Sequence, residues 1–588
     1  MKNWFTSSLL FLLFIFTICS SPSALSQTIS DKIRLNQIGF YPNGPKTAAV
    51  ITAEESSFYI LNTTHTDTLF SGKLQKPVTN PISGKIVRLA DFSSFHKQGT
   101  FVLSVPAVGY SYPFTIKNNV HHPLAVSTLK SYYYQRASIP LISKFAGQWA
   151  RAEGHPDTQI LIHPSAASVN HPAGTIISSS RGWYDAGDYN KYIVNSGITM
   201  GTLLSLYEDF PKYTETIHTN IPESQNAIPD LLDEILWNLR WMLTMQDAED
   251  GGVYHKLTNA SFDGMIMPDK AIKPRYVVQK NTIATLDFVA VMAQASRVFR
   301  KYSKQLPGLA DSCLQSAQKA WIWAQNNPEV LYQQNIINQQ NDPDITTGGY
   351  EDKSNKDEWV WAAAELYVTT KDDKYYTYIK QDLDNTLSIP SWNQVRALAY
   401  YTLSRYGNNL PLAGKKDLPA IQQCIIVVVD NLLKDVETQP YGTVMGKTAK
   451  DYIWGSNSLA ANQGIALIYA YQITNNSRYL HYALSNLDFI LGRNGTGYCY
   501  VTGSGSKSPH HPHHRPSIAD GIDAPIPGLL AGGANPGQQD KCEYPTTIAD
   551  ECYADIDCSY ATNEIAINWN APMVYLVTAL EALQRSIK

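Results

Sequence analysis

Residues 228–242 read Ile228-Pro229-Asp230-Leu231-Leu232-Asp233-Glu234-Ile235-Leu236-Trp237-Asn238-Leu239-Arg240-Trp241-Met242. Leu231, Leu232, Ile235, Leu236, Leu239 and Met242 recur every three or four residues, which sets them on one face of a helix. Pro229 and Asp230 suit its first turn. The same period predicts helices over 282–302, 358–367, 395–406, 459–473, 479–491 and 571–583, with loops rich in glycine and proline between them. From near His121 to the end the chain therefore reads as one all-α domain, residues 122–588, whose long loops can carry function. Strands do not alternate with these helices, which argues against a parallel α/β enzyme.

Upstream the pattern differs. Thr47–Thr52, Ser57–Leu61, Lys85–Leu89 and Thr100–Val105 are short and β-branched or alternating, and Gly44, Pro45, Gly84 and Gly99 punctuate them. Residues 31–117 read as a small β-sandwich. Before it, Lys2, the apolar run Leu9 to Cys19 and the small-x-small site Ala24-Leu25-Ser26 predict a signal peptide over residues 1–26, cleaved after Ser26. The run is too short to span a bilayer comfortably, and no second stretch is long and apolar enough. Export to the periplasm, the cell surface or the medium is expected.

At 588 residues, 44% hydrophobic and 17% charged, the chain can bury a large core. Its net charge of −4 and lack of a polybasic run offer nothing to nucleic acid or anionic lipid. The 36 Tyr and 12 Trp are enough both to fill a core and to line a groove, where flat rings fit the apolar C–H face of a pyranose. Of the cysteines, Cys542, Cys552 and Cys558 lie close enough to hold one bridge, whose pairing the sequence does not fix.

Four segments carry candidate chemistry. In Trp183-Tyr184-Asp185-Ala186-Gly187-Asp188 two carboxylates flank small residues, so they can hold a water and take its proton; a plain turn has the same composition. In the segment from Tyr553 to Pro572, Glu564 sits among Ile565, Ala566, Ile567 and Trp569, company that raises a carboxyl pKa and suits a general acid, or else it caps a helix. Asp555 in that segment reads equally as a structural partner for a cation or a backbone amide. The run His510-His511-Pro512-His513-His514-Arg515 lacks the geometry of a helical metal site and reads as a substrate-binding loop. The acidic loop Gly348 to Glu358, with Asp352, Asp357 and Glu358, offers oxygens to calcium or an acidic start to a helix.

Together these segments resemble glycoside hydrolase family nine, in the subgroup with an N-terminal immunoglobulin-like domain. The likeness runs through Ile33–Phe40, Ser111–Phe114, Trp183–Tyr192, Asp250–His255, Tyr452–Asn457, Leu491–Asn494, His513-x-Arg515 and Ser559–Pro572. It implies an (α/α)6 barrel behind an immunoglobulin-like sandwich, and an inverting endo-β-1,4-glucanase acting on cellulose, mixed-linkage glucan or xyloglucan. By the same match Asp188 is the general base, Asp185 helps hold the water and Glu564 is the general acid. His513, Arg515 and Asp555 fall at the family's other active-site positions. Trp183, Tyr184, His255, Trp454 and Tyr560 are expected along the substrate groove. No cofactor is needed for the chemistry, and the loop with Asp352, Asp357 and Glu358 resembles a calcium site. Relatives often carry a zinc site near Gly154–Ala166; the thiols are missing here. An exo-acting hydrolase and a non-catalytic glycan-binding protein are the competing readings, and a monomer is expected.

Overall fold

The computed structural model describes residues 1, 28–381, 383 and 386–587. Apart from Met1, the predicted signal peptide lies outside the described residues.

Among the described residues, the twelve helices of nine or more residues are α1 (His122–Tyr134), α2 (Ile193–Asp209), α3 (Asp230–Thr244), α4 (Thr282–Phe299), α5 (Leu309–Asn326), α6 (Lys356–Thr370), α7 (Asp373–Gln381), α8 (Arg396–Arg405), α9 (Leu412–Leu433), α10 (Ser456–Thr474), α11 (Ser477–Ile490) and α12 (Ile567–Leu583). The even-numbered helices form an inner ring, and each packs against an odd-numbered outer helix. Sequence explains the layering. Every residue of α4 except Arg297 is buried, so α4 can only be an inner helix, whereas α3 leaves Arg240 open to water. The segment Thr282–Tyr302 is the one described helix apolar and long enough to cross a bilayer, and it lies inside the barrel. At Gly201 on α2 a Cβ would come within 2.5 Å of the Trp361 ring on α6, so a glycine lets these two helices close.

One buried polar network joins all six inner helices near their C-terminal ends. Asp209 of α2 accepts from Tyr469 of α10 at 2.6 Å and Tyr575 of α12 at 2.7 Å, and pairs with Arg405 of α8 at 2.7 Å. Glu208 pairs with Arg297 of α4 at 2.7 Å, which also reaches Glu365 of α6 at 2.7 Å. Buried charges need such pairing. The loops at the opposite end are thereby left free to build a site.

The N-terminal sandwich has one sheet ordered Ile33–Arg34, Thr47–Ile51, Ile86–Asp91, Val78–Thr79. The other runs Gly39–Phe40, Phe114–Ile116, Gly99–Val105, Ser57–Asn62, Thr68–Lys73. Phe40, Phe92 and Phe114 meet in its core, Phe40 and Phe92 edge to face at 5.2 Å. The sandwich is latched to the barrel by Asn36 on Asp488 at 2.8 Å and Tyr41 on Glu581 at 2.9 Å. Two features were not legible as periodicity. Five strands of two to four residues (160–162, 176–177, 191–192, 256–259 and 275–277) make a small sheet within the helical domain, too short to show a repeat. Cys542 and Cys558 form the disulfide, and Cys552 stays free and buried.

Candidate active site

The loops entering the inner helices surround an open cleft of about 970 Å³. Asp185, Asp188, Trp454, His513, Arg515, Tyr560 and Glu564 all line it, although 379 residues separate Asp185 from Glu564 (564 − 185).

The two halves are stitched by backbone. Ile567 N–H donates to Asp185 O at 2.8 Å, and Arg515 N–H to Gly187 O at 3.1 Å. His513 and Glu564 form a parallel bridge. Gly187 is where the halves touch most closely: a Cβ there would lie 2.1 Å from His513 O. That approach lets the Gly187 N–H reach the Glu564 carboxylate.

The three carboxyls sit in different surroundings. Asp185 is fully buried and accepts from Asn195 at 2.9 Å and Tyr350 at 2.9 Å. Burial first, and then the charge of Asp188, push its pKa up to about 8. Burial of its carboxyl, then Asp188 and Asp185, hold Glu564 well above the usual carboxyl range. Asp188 accepts from the Asn190 N–H at 3.3 Å, from the Asn190 amide and from Tyr192 at 3.5 Å. It also faces the buried Lys256 ammonium, whose pKa burial lowers to about 7 while Asp188 opposes the shift. Like charges this close disfavour one another, and burial adds to that at Glu564, whereas Asp188 is offered hydrogen-bond donors and faces the Lys256 side chain. At His513, Nδ1 lies 2.6 Å from Asp557 O, so Nδ1 carries the proton and Nε2 is the free nitrogen.

Several expected site residues sit elsewhere. Trp183 and Tyr184 are fully buried and do not face the cleft. Trp183 packs on Tyr132 at 4.6 Å, and Tyr184 binds His155 at 2.9 Å. They hold the catalytic loop from behind. His255 is buried too: its Nδ1 accepts from the Asn281 amide at 2.9 Å, its ring stacks on Tyr332 at 4.0 Å and its Nε2 donates to Gly349 O at 2.7 Å, beside Tyr350. Asp555 does not line the cleft. It accepts from the His510 N–H at 2.9 Å, the His511 N–H at 2.9 Å and Asn563 at 3.1 Å, which makes it the backbone partner that fixes the His513 loop. Conversely, Tyr350, Asn195 and Lys256 enter the site although nothing in their spacing marked them. Tyr350 has φ +48°, a strained setting for a large residue, visible only in the backbone.

Asp352, Asp357 and Glu358 lie outside the cleft lining, near Asp287. Asp357 accepts from the Val395 N–H at 2.7 Å. Among the described residues, no three His, Cys, Asp or Glu side chains close around one point as a metal site would require. Yet both carboxylate oxygens of Glu358, both of Asp287 and Oδ2 of Asp352 are buried without a hydrogen-bond partner.

Two family models match in tandem: "Cellulase N-terminal ig-like domain" over residues 29–110 and "Glycosyl hydrolase family 9" over 122–577. The chain belongs to glycosyl hydrolase family 9. Among its relatives, the xyloglucan-specific endo-beta-1,4-glucanase BoGH9A of Bacteroides ovatus is 47% identical over 555 residues, 94% of each chain. Endoglucanase D of Acetivibrio thermocellus is 34% identical, over 92% of this chain and 82% of that one. Among solved structures, one described as Bacteroides ovatus GH9 superposes with a TM-score of 0.90 at 46% identity, covering 94% of this chain and 99% of that one. The family 9 membership and the tandem (α/α)6 and immunoglobulin-like architecture agree with the fold derived above.

Proposed function

We propose that this family 9 hydrolase is an exported endo-β-1,4-glucanase that inverts the anomeric centre and takes xylose-branched β-1,4-glucan among its substrates. The observation that carries the reading is the pairing of Asp188 and Asp185 with Glu564 across an open cleft, each carboxyl in a different electrostatic setting.

The chemistry follows from those settings. Asp188 and Asp185 hold a water on one side of the glycosidic bond, and Asp188 takes its proton as the water attacks the anomeric carbon. Glu564 gives its proton to the departing glycosidic oxygen on the other side. The Gly187 N–H then stabilises the carboxylate that Glu564 becomes, an interaction stronger after proton transfer than before it. Tyr350 and Asn195 fix Asp185, and so fix the water. Rings of Trp392, Trp454, Tyr560 and Trp569 along the cleft suit a row of pyranose faces. The xyloglucan preference draws support from the 47% identical relative.

Following viscosity and reducing ends together on xyloglucan and on carboxymethyl-cellulose tests the endo mode. A fast viscosity drop with few new ends is expected; new ends without a viscosity drop would mean exo action. The first product anomer, read by NMR, should be α; a β product would reject inversion. Mass spectrometry of the exported protein should find its N-terminus at Gln27.

The unpartnered carboxylates Asp287, Asp352 and Glu358, with Asp357 beside them, are hard oxygen donors that a calcium ion would hold if it drew them together around one point. It would supply charge compensation there and order the loop that carries Tyr350.

A further inference from the structure

Apolar side chains open to solvent are mostly scattered singly over the described surface, but they gather at two places on the cleft rim. One is the pair Ile453 and Trp454, inside the cleft lining. The other is in the loop between α3 and α4, where Phe262 is 44%, Met265 41% and Ile266 37% exposed and Phe262 lines the cleft.

This loop is held rigidly while presenting those side chains. Arg515 donates twice to Asp263 O at 3.0 Å, Tyr189 donates to Ile266 O at 2.6 Å, and Lys273 donates to Phe262 O at 3.0 Å. Arg515 also donates to Gly187 O at 2.8 Å, so the patch is indexed to the catalytic loop itself. A fixed loop that keeps three large apolar groups in water marks a surface that something covers.

The position of the patch says what covers it. Phe262 lines the cleft; Met265 and Ile266 do not. The patch therefore crosses the rim. Of these three, an unbranched chain filling the cleft would meet only Phe262. A sugar carried as a branch would leave the main chain sideways, out of the lining, where Met265 and Ile266 are exposed. We propose that Phe262, Met265 and Ile266 form a branch subsite that receives the apolar face of a pyranose attached to a β-1,4-glucan backbone. The Arg515 guanidinium, 5.7 Å from the Phe262 ring centre, steadies the ring that the branch and the main chain share.

The inference rests on the glucanase reading, and one comparison separates the two. kcat/KM is measured on a xylose-branched glucan oligosaccharide and on an unbranched cello-oligosaccharide of equal backbone length, for the wild type, Met265→Ser/Ile266→Ser and Phe262→Ala. The double variant should lower the branched-to-unbranched ratio by roughly tenfold, the scale on which apolar pockets discriminate. Phe262→Ala should lower rates on both substrates and lower the ratio as well. A ratio within twofold of wild type in both variants would overturn the branch subsite while leaving the glucanase reading intact. A wild type that cuts neither substrate would sink both. Concentration-dependent sedimentation abolished by the double variant would make the patch an interface between copies of this chain and overturn the proposal too.

Discussion

Gly187→Ala is the substitution that weighs most on the proposed mechanism. A Cβ at residue 187 would lie 2.1 Å from the carbonyl oxygen of His513 and 3.1 Å from its Cδ2. An unstrained carbon–oxygen contact is about 3.3 Å or longer, so the two backbones must separate by roughly 1 Å. The His513 backbone is bridged to Glu564, and the Gly187 N–H lies near that carboxylate, so the displacement falls on Glu564 and the Asp188 loop together. A 1 Å misplacement of reacting groups can cost about a hundredfold in rate, and overpacking costs about 1–3 kcal/mol in stability. We expect kcat on soluble glucan to drop by about two orders of magnitude with KM changed far less. Hydrolysis of an aryl cello-oligosaccharide with an activated phenol leaving group should drop less, because its departure needs little help from Glu564. The assay is steady-state kinetics on both substrates at a temperature where circular dichroism shows the variant folded. A folded variant with kcat within threefold of wild type would refute the claim that this contact sets the catalytic geometry.

Glu564→Gln and Asp188→Asn should each lower kcat on polymeric glucan by about 10²–10⁴-fold, but an activated leaving group should rescue only the first; rescue of Asp188→Asn would reverse the assigned roles. The pKa of Asp185 is raised to about 8, so the folded state holds a proton the unfolded chain has released, and stability contributed by this group falls as pH rises from about 4 to about 8. Asp185→Asn should therefore melt higher relative to wild type at pH 8 than at pH 5, and equal differences at the two pH values would argue against a buried, proton-holding Asp185. Asp209→Ala leaves Arg405 with Glu208 as its one carboxylate partner and takes the acceptor from Tyr469 and Tyr575, and should cost up to about 3–5 kcal/mol by chemical denaturation while leaving kcat of the folded enzyme within about threefold; a large kcat loss at full folding would tie that end to catalysis. Chelation with EDTA should lower the melting temperature of the wild type, and Glu358→Gln should abolish the difference; identical melts with and without calcium would leave Asp287 and Glu358 to be neutral acids instead.

The helical class and the acidic motifs could be read from the chain because each is a local signal. A burial stripe repeats every 3.6 residues, and desolvation around Glu564 comes from its own neighbours. Sequence adjacency misled at Trp183 and Tyr184: neighbours along a turn point to opposite sides, and Asp185 took the cleft while the rings took the core. Strands of two to four residues have no period to detect, and the roles of Tyr350, Lys256 and Asn195 depend on which loops the ring brings together. The sequence by itself determined which groups could act as acid and base, since residue type and local polarity suffice for that. Only the tertiary structure decided that they line one cleft, because Glu564 is brought to Asp188 through the closure of a six-helix ring and a contact at Gly187 that no stretch of chain contains alone.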